Sequence, residues 1–183
     1  MRLESIEKPS NPLLKIAYWF SKRQFGKVLT PLKVIYARKF SLLQFAMKIA
    51  KFEEKQNSLT PELRLLIKIA GATENGCTFC QDIALAQAIQ GKIGTEKFVA
   101  LIKGEDSEAF DEKELSVLAV IRQYAAERKV SAAEFAELKR HFSETEIVEI
   151  LALNAFEQFY NALTIPLEIE SDGLRVLAEK AST

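Results

Sequence analysis

Two residues carry the strongest chemical signal in this chain. They are Cys77 and Cys80, in the run Asn75-Gly76-Cys77-Thr78-Phe79-Cys80, and the sequence has no other cysteine. A Cys pair three apart at a helix start can close a disulfide within one turn. The helix N-terminus favours negative charge, which lowers the pKa of a thiol placed there. The thiolate is the species that attacks peroxides and disulfides. Asn75-Gly76 supplies the tight turn that exposes the first amides of the helix. The same pair could instead be two small buried apolar residues, or half of a zinc site. The zinc reading lacks partners: there is no second Cys pair, and the single histidine, His141, is far away in sequence. Spacing and placement favour redox chemistry, with Cys77 and Cys80 as the catalytic pair. No metal site and no bound cofactor is expected.

Other titratable residues have plainer readings. Glu74 lies three residues before Cys77, and Asp82 two after Cys80. Either could accept a proton, but a nearby carboxylate raises a thiol pKa. Both read as solvated helix-end charges. His141, beside Arg140, reads as helix-end packing or capping. Tyr124 and Tyr160 read as core aromatics with a hydrogen-bonded hydroxyl.

The elements that position the pair are all helical. Asn11-Pro12 is a cap followed by proline at the first helical position. Leu13, Ile16, Ala17 and Phe20 repeat on one face, and Gly26 closes the segment. Thr30-Pro31 opens a short second helix. Ser41 is placed to cap a third, with Leu42, Phe45, Ala46, Ile49 and Phe52 as its stripe. Thr60-Pro61-Glu62 opens a fourth, ending near Asn75-Gly76. A fifth runs from Cys77 to about Gln90, and a sixth from about Thr95 to Lys103. Residues 104–110 read as a polar loop. Asp111 with Glu114, Ser131 with Glu134, and Ser143 with Glu146 are three capping-box pairs. The last opens a helix to about Leu163 that looks apolar nearly all round: Ile147, Ile150, Leu151, Leu153, Ala155, Phe156, Phe159, Tyr160, Leu163. Such a helix belongs in a core or at a subunit interface. Ile165-Pro166 stops it, and Ser171 is placed to cap a short closing helix. Alternating strand patterns with hairpin turns are missing. The expected fold is all-α, one domain of about eight to ten packed helices.

Composition narrows the class. The chain has 183 residues, is 48% hydrophobic and 27% charged, and balances 25 Lys+Arg against 25 Asp+Glu. That balance argues against a nucleic-acid binder. Two cysteines exclude a disulfide-rich secreted scaffold, and one histidine excludes a His-cluster chemistry. No signal peptide is read from Leu13 to Phe20, and a cytoplasmic setting is expected. The neutral total hides an asymmetry. Residues 1–60 carry 12 Lys/Arg against 4 Asp/Glu, and the remainder 13 against 21. The basic arm also holds Tyr18, Trp19, Phe20, Phe25, Tyr36, Phe40, Phe45 and Phe52. Packing on the acidic body of its own or a neighbouring subunit is favoured over a membrane surface or nucleic acid. The arm meets the body near Gln56-Asn57-Ser58, dividing residues 1–58 from 59–183.

The stretch Leu59 to Ala84, LTPELRLLIKIAGATENGCTFCQDIA, resembles the core motif of the carboxymuconolactone decarboxylase-like family. His141 to Glu168, HFSETEIVEILALNAFEQFYNALTIPLE, is similar to that family's closing segment. The redox branch contains the alkyl hydroperoxidase of the D type. The resemblance implies an all-α homo-oligomer, commonly a trimer or hexamer or built from dimers. It implies peroxide reduction through the Cys pair and re-reduction by a protein or small-thiol donor. It also implies that peroxide attacks Cys80 and that Cys77 resolves the sulfenic acid. Helix-end electrostatics alone would instead favour Cys77 as the more acidic thiol. The branch further carries a Glu twelve residues before its first Cys and a His four after its second. Here those positions are Leu65 and Ala84. Losing both members of a buried charge pair is tolerable where losing one is costly, so the site reads as repacked and its peroxidase turnover as weak. The expected function is thiol–disulfide oxidoreductase, an alkylhydroperoxidase-like antioxidant protein. The alternatives are a non-catalytic binding protein with an apolar pocket between subunits, or a membrane-surface interaction protein.

Overall fold

A computed structural model describes residues 1–105 and 109–182, and the described residues form nine α-helices and one π-helical turn. They are α1 (Pro12–Phe25), the π turn (Leu32–Tyr36), α2 (Phe40–Lys55), α3 (Pro61–Glu74), α4 (Thr78–Gln90), α5 (Glu96–Lys103), α6 (Glu112–Glu127), α7 (Ala132–His141), α8 (Glu144–Thr164) and α9 (Leu174–Ser182). Among the described residues there is no strand. Residues 106–108 of the expected polar loop lie outside the described residues.

Local chemistry sets most of the boundaries. Asn11 accepts from the amides of Leu13 and Leu14, and Thr60 from that of Leu63, each ahead of a proline at the first turn. Asp111 and Ser143 form complete capping boxes with Glu114 and Glu146. Ser131 makes only half of one: it accepts from the Glu134 amide, while its own amide donates to Gln123 instead. Two caps differ from the sequence reading. Helix α2 starts at Phe40, two residues before a Ser41 cap would start it, with Lys39 preceding it and no side-chain cap. Thr30-Pro31 leads into a π turn rather than a regular short helix, and the Ala37 amide reaches back to the Leu32 carbonyl.

Helix α3 is the centre of the packing and touches α4, α5, α6 and α8. One apolar cluster joins α3 to α5, α6, α7 and α8, with Leu66, Ile67, Phe98, Leu118, Leu138 and Ile150 fully enclosed. The second is shared between the basic arm and the body. It brings Leu14, Tyr18, Val34 and Tyr36 against Cys77, Phe79, Cys80, Leu174 and Ala178. The arm therefore packs on its own chain. Lys27 bonds Asp172 at 2.8 Å and Arg2 bonds Glu168 at 3.0 Å, tying the arm to the acidic end of the molecule.

Helix α8 corrects the sequence reading. Its inward face carries Ile147, Ile150 and Leu153 and then turns polar, with Asn154, Glu157, Asn161 and Thr164 all buried. Leu151 and Ala155 face outward. Periodicity placed the apolar residues but did not show that the deepest positions of the second half are polar.

Candidate functional site: a buried dithiol at a helix start

The turn Asn75-Gly76 joins α3 to α4. Gly76 takes φ 71°, a left-handed conformation that a glycine adopts without strain. The Asn75 side chain donates to the Gly71 carbonyl at 2.8 Å, and the Cys77 amide to the Ala72 carbonyl at 2.8 Å. These bonds close α3 and deliver Cys77 to the N-cap of α4. Its sulfur takes the place of a capping oxygen: the Cys80 amide donates to Cys77 Sγ at 3.3 Å. Cys77 and Cys80 are joined as a disulfide, with Cα atoms 5.3 Å apart. Both are buried, at 2% and 4% exposure.

Thr164, from outside the motif, brings a polar side chain against both sulfurs. Thr164, at the last turn of α8, places Oγ1 3.2 Å from Cys77 Sγ and 3.7 Å from Cys80 Sγ. The hydroxyl also donates to the Tyr160 carbonyl at 3.0 Å. A hydroxyl that rotates between a carbonyl and a sulfur can stabilise a thiolate when one forms. In the sequence, a threonine just before Ile165-Pro166 reads only as a helix end.

The remaining candidates are placed as follows. Asp82 is buried and is not a solvated helix-end charge. It accepts from the Leu174 and Arg175 amides at 2.8 and 2.9 Å and from the Ser171 hydroxyl at 2.9 Å. It therefore caps α9 from across the fold, in the role expected of Ser171, and its lone pairs face that helix. Glu74 pairs with Arg122 at 3.4 Å. His141 closes α7 and meets Glu137 at 3.1 Å. The neighbouring Arg140 and His141 hold the Glu137 carboxyl below its usual range. Tyr124 lies under the Arg128 guanidinium at 5.6 Å. The hydroxyls of Tyr18 and Tyr36 are pushed up to about 12 by burial, so they stay neutral near the pair. Leu65 and Ala84, where the resembled family carries its acid and its base, are buried in the apolar cluster of α3. Among the described residues no group of His, Cys, Asp and Glu could hold a metal ion.

The all-helical fold carries its Cys-x-x-Cys disulfide in the first turn of an inner helix. Residues 41–123 match the model of the carboxymuconolactone decarboxylase family. The match starts before residue 59, where the sequence resemblance begins, and ends ahead of the closing segment. An uncharacterised protein of Escherichia coli K12, YnjA, is 25% identical over 175 residues, covering 93% of this chain and 94% of its own. The fold is similar to the alkylhydroperoxidase AhpD core of a peroxidase-related protein from Ralstonia eutropha JMP134. That likeness has a TM-score of 0.77 at 16% identity, over 92% of this chain and 90% of that one. It is also similar to the debrominase Bmp8, solved with 2,3,4-tribromopyrrole. There the TM-score is 0.77 at 17% identity, over 98% of this chain and all of that one.

Proposed function

We propose that the protein is a thiol–disulfide oxidoreductase that cycles Cys77 and Cys80, with weak alkylhydroperoxidase activity. One observation carries the reading: Cys77 is the cap of α4, so its sulfur receives a backbone N–H and the positive end of a helix. A thiolate there is favoured over a free thiol. In the oxidising direction a hydroperoxide gives its distal oxygen to one thiolate, leaving an alcohol and a sulfenic acid. The other thiol displaces water and closes the disulfide. A protein or small dithiol reopens it. Burial of both sulfurs among Tyr36, Phe79, Ile169 and Leu174 favours an apolar oxidant over hydrogen peroxide. The test is stopped-flow reaction of the reduced protein with cumene hydroperoxide, followed by thiol count and intact mass. Reversible loss of two thiols is expected. Irreversible sulfinic acid without a disulfide counts against the reading. Cys77→Ser and Cys80→Ser then decide which sulfur meets the peroxide.

A second reading has its own observation. Helix α1 leaves Leu13, Ile16, Trp19 and Phe20 exposed, with Lys15, Lys22 and Arg23 beside them. Apolar residues on α2 and α8, Phe45, Met47 and Val148, are also exposed. Faces of this kind serve assembly into a homo-oligomer, or an anionic membrane surface. Sedimentation velocity and salt-dependent liposome cosedimentation separate them, and a single species near 20.6 kDa refutes the oligomer. No helix among the described residues is long and apolar enough to cross a membrane.

A further inference from the structure

The polar face of α8 leads to the sulfurs. Asn154, Glu157, Asn161 and Thr164 follow one another at helical spacing, and all four are buried. At one end Thr164 Oγ1 sits against both cysteines. In the middle, Asn161 Nδ2 donates to the Gly71 carbonyl at 3.4 Å. Gly71 permits this approach: a Cβ there would stand 3.1 Å from Glu157 Cγ and 3.3 Å from Asn154 Oδ1. Beyond Glu157 lies an ion pair, Lys68 to Glu53 at 3.1 Å.

Helix α4 runs alongside in the opposite sense. Cys80, Ala84 and Gln87 share one of its faces. Cys80 meets Thr164, and Gln87 accepts from Lys68 at 3.3 Å. Ala84 between them offers only a methyl group. On the α8 side, Glu157 Oε1 and Asn161 Oδ1 are buried and accept no hydrogen bond from the described residues, as are Asn154 Oδ1 and Glu53 Oε1. Buried acceptors without a donor are the partners that a carboxyl proton or internal water requires.

We propose that Glu157 is the proton store of the dithiol site, giving a proton to Cys80 when the disulfide opens and taking one when it closes. The path runs by Asn161 and Thr164. The inference rests on the dithiol reading above. A donor thiolate attacks Cys80 Sγ, the Cys77–Cys80 bond breaks, and Cys77 leaves with the electron pair. Cys77 is held as a thiolate by the Cys80 amide and needs no acid at that moment. The donor's second thiolate then attacks the donor sulfur of the mixed disulfide and expels Cys80. Cys80 lacks a helix-end amide of its own and takes the Glu157 proton. The two protons of the donor dithiol end on Cys77 and on the Glu157 carboxylate. The sum is one donor disulfide and two protein thiols, with Glu157 restored.

The surroundings suit that role. Complete burial pushes Glu157 up to about 8, outweighing Lys68 on α3, which favours the charged carboxylate, and Glu53 on α2 adds to the rise. Tyr160 on α8 and Tyr36 on the π turn stay neutral, both raised by burial. The α4 face adds only neutral Gln87 beside Cys80.

The test is Glu157→Gln in the full chain. Opening of the disulfide by dithiothreitol is followed from about pH 6 to 9, with circular dichroism to verify the fold. The expected results are a break near pH 8 in the natural protein, its loss in the variant, and opening about tenfold or more slower at neutral pH. Equal rates and an unchanged break overturn the proposal while leaving the dithiol reading intact. A disulfide that dithiothreitol never opens in the natural protein overturns both. Should the variant not fold, infrared titration of the natural protein decides. The carboxyl band that persists above about pH 6 must shift its midpoint between oxidised and reduced protein, because a proton store senses the sulfur. Identical midpoints overturn the proposal.

Discussion

Thr164→Val removes one oxygen from beside two sulfurs and changes little else. The residue is 3% exposed, and valine nearly matches its shape. A hydrogen bond to a charged acceptor contributes about 1.5–3 kcal/mol. At about 1.4 kcal/mol per unit, that is a rise of about 1–2 units in the thiol pKa. The Tyr160 carbonyl competes for the same hydroxyl at 3.0 Å, so the lower end, about one unit, is expected. Folding stability should fall by no more than about 1 kcal/mol, because the lost bond is modest and the added methyl is buried. The assay is monobromobimane alkylation of the reduced protein across pH, with thermal unfolding run in parallel. A folded variant whose thiol midpoint is unmoved would show that the hydroxyl serves only its own helix, and would refute this account of the pair's environment.

Asp82→Ala strips α9 of the carboxylate that receives its first amides and should cost about 1–2 kcal/mol, with faster proteolytic cleavage around residue 173 than in the natural protein as the readout. The raised Glu157 carboxyl makes stability depend on pH: the folded chain holds a proton between about 4.5 and 8 that the unfolded chain releases. Its contribution is therefore full at acid pH and is lost as pH rises through about 8, and urea unfolding of Glu157→Gln should lack that decline. Ala84→His with Leu65→Glu should raise peroxide-dependent thiol oxidation about tenfold or more, whereas Leu65→Glu alone should only destabilise, by about 1–3 kcal/mol or more, as an unpartnered buried carboxylate. A natural protein already as fast as the folded double variant would show that another residue supplies the base.

Local rules carried the sequence reading well where the physics is local. Thr60, Asp111 and Ser143 announce their helices because cap and first turn are neighbours in the chain. The Cys pair is legible for the same reason. Asp82 was not, because its partners lie 92 and 93 residues away. Thr164 was not, because nothing near it in sequence points to a cysteine. Glu157 was hidden by its neighbours: Phe156, Phe159 and Tyr160 dominate the local pattern, yet they are only partly buried while the glutamate is enclosed. Periodicity ranks hydrophobicity and assumes the most enclosed positions are the most apolar, and this helix breaks that assumption where it approaches the disulfide.

The borrowed cap of α9 sets a limit on how this protein can be shortened or displayed. The last helix looks dispensable on a topology diagram, since it follows the final element of the bundle. Yet removing residues beyond 170 would strip the Asp82 carboxylate of the Ser171 hydroxyl and both amides that receive its charge. A bare anion would then stand on the first turns of α4, two residues from Cys80, and oppose thiolate formation there. Truncation at that point would be felt first as a sluggish dithiol and only secondarily as a loss of stability. A C-terminal fusion that preserves residues 171–175 would leave the chemistry alone.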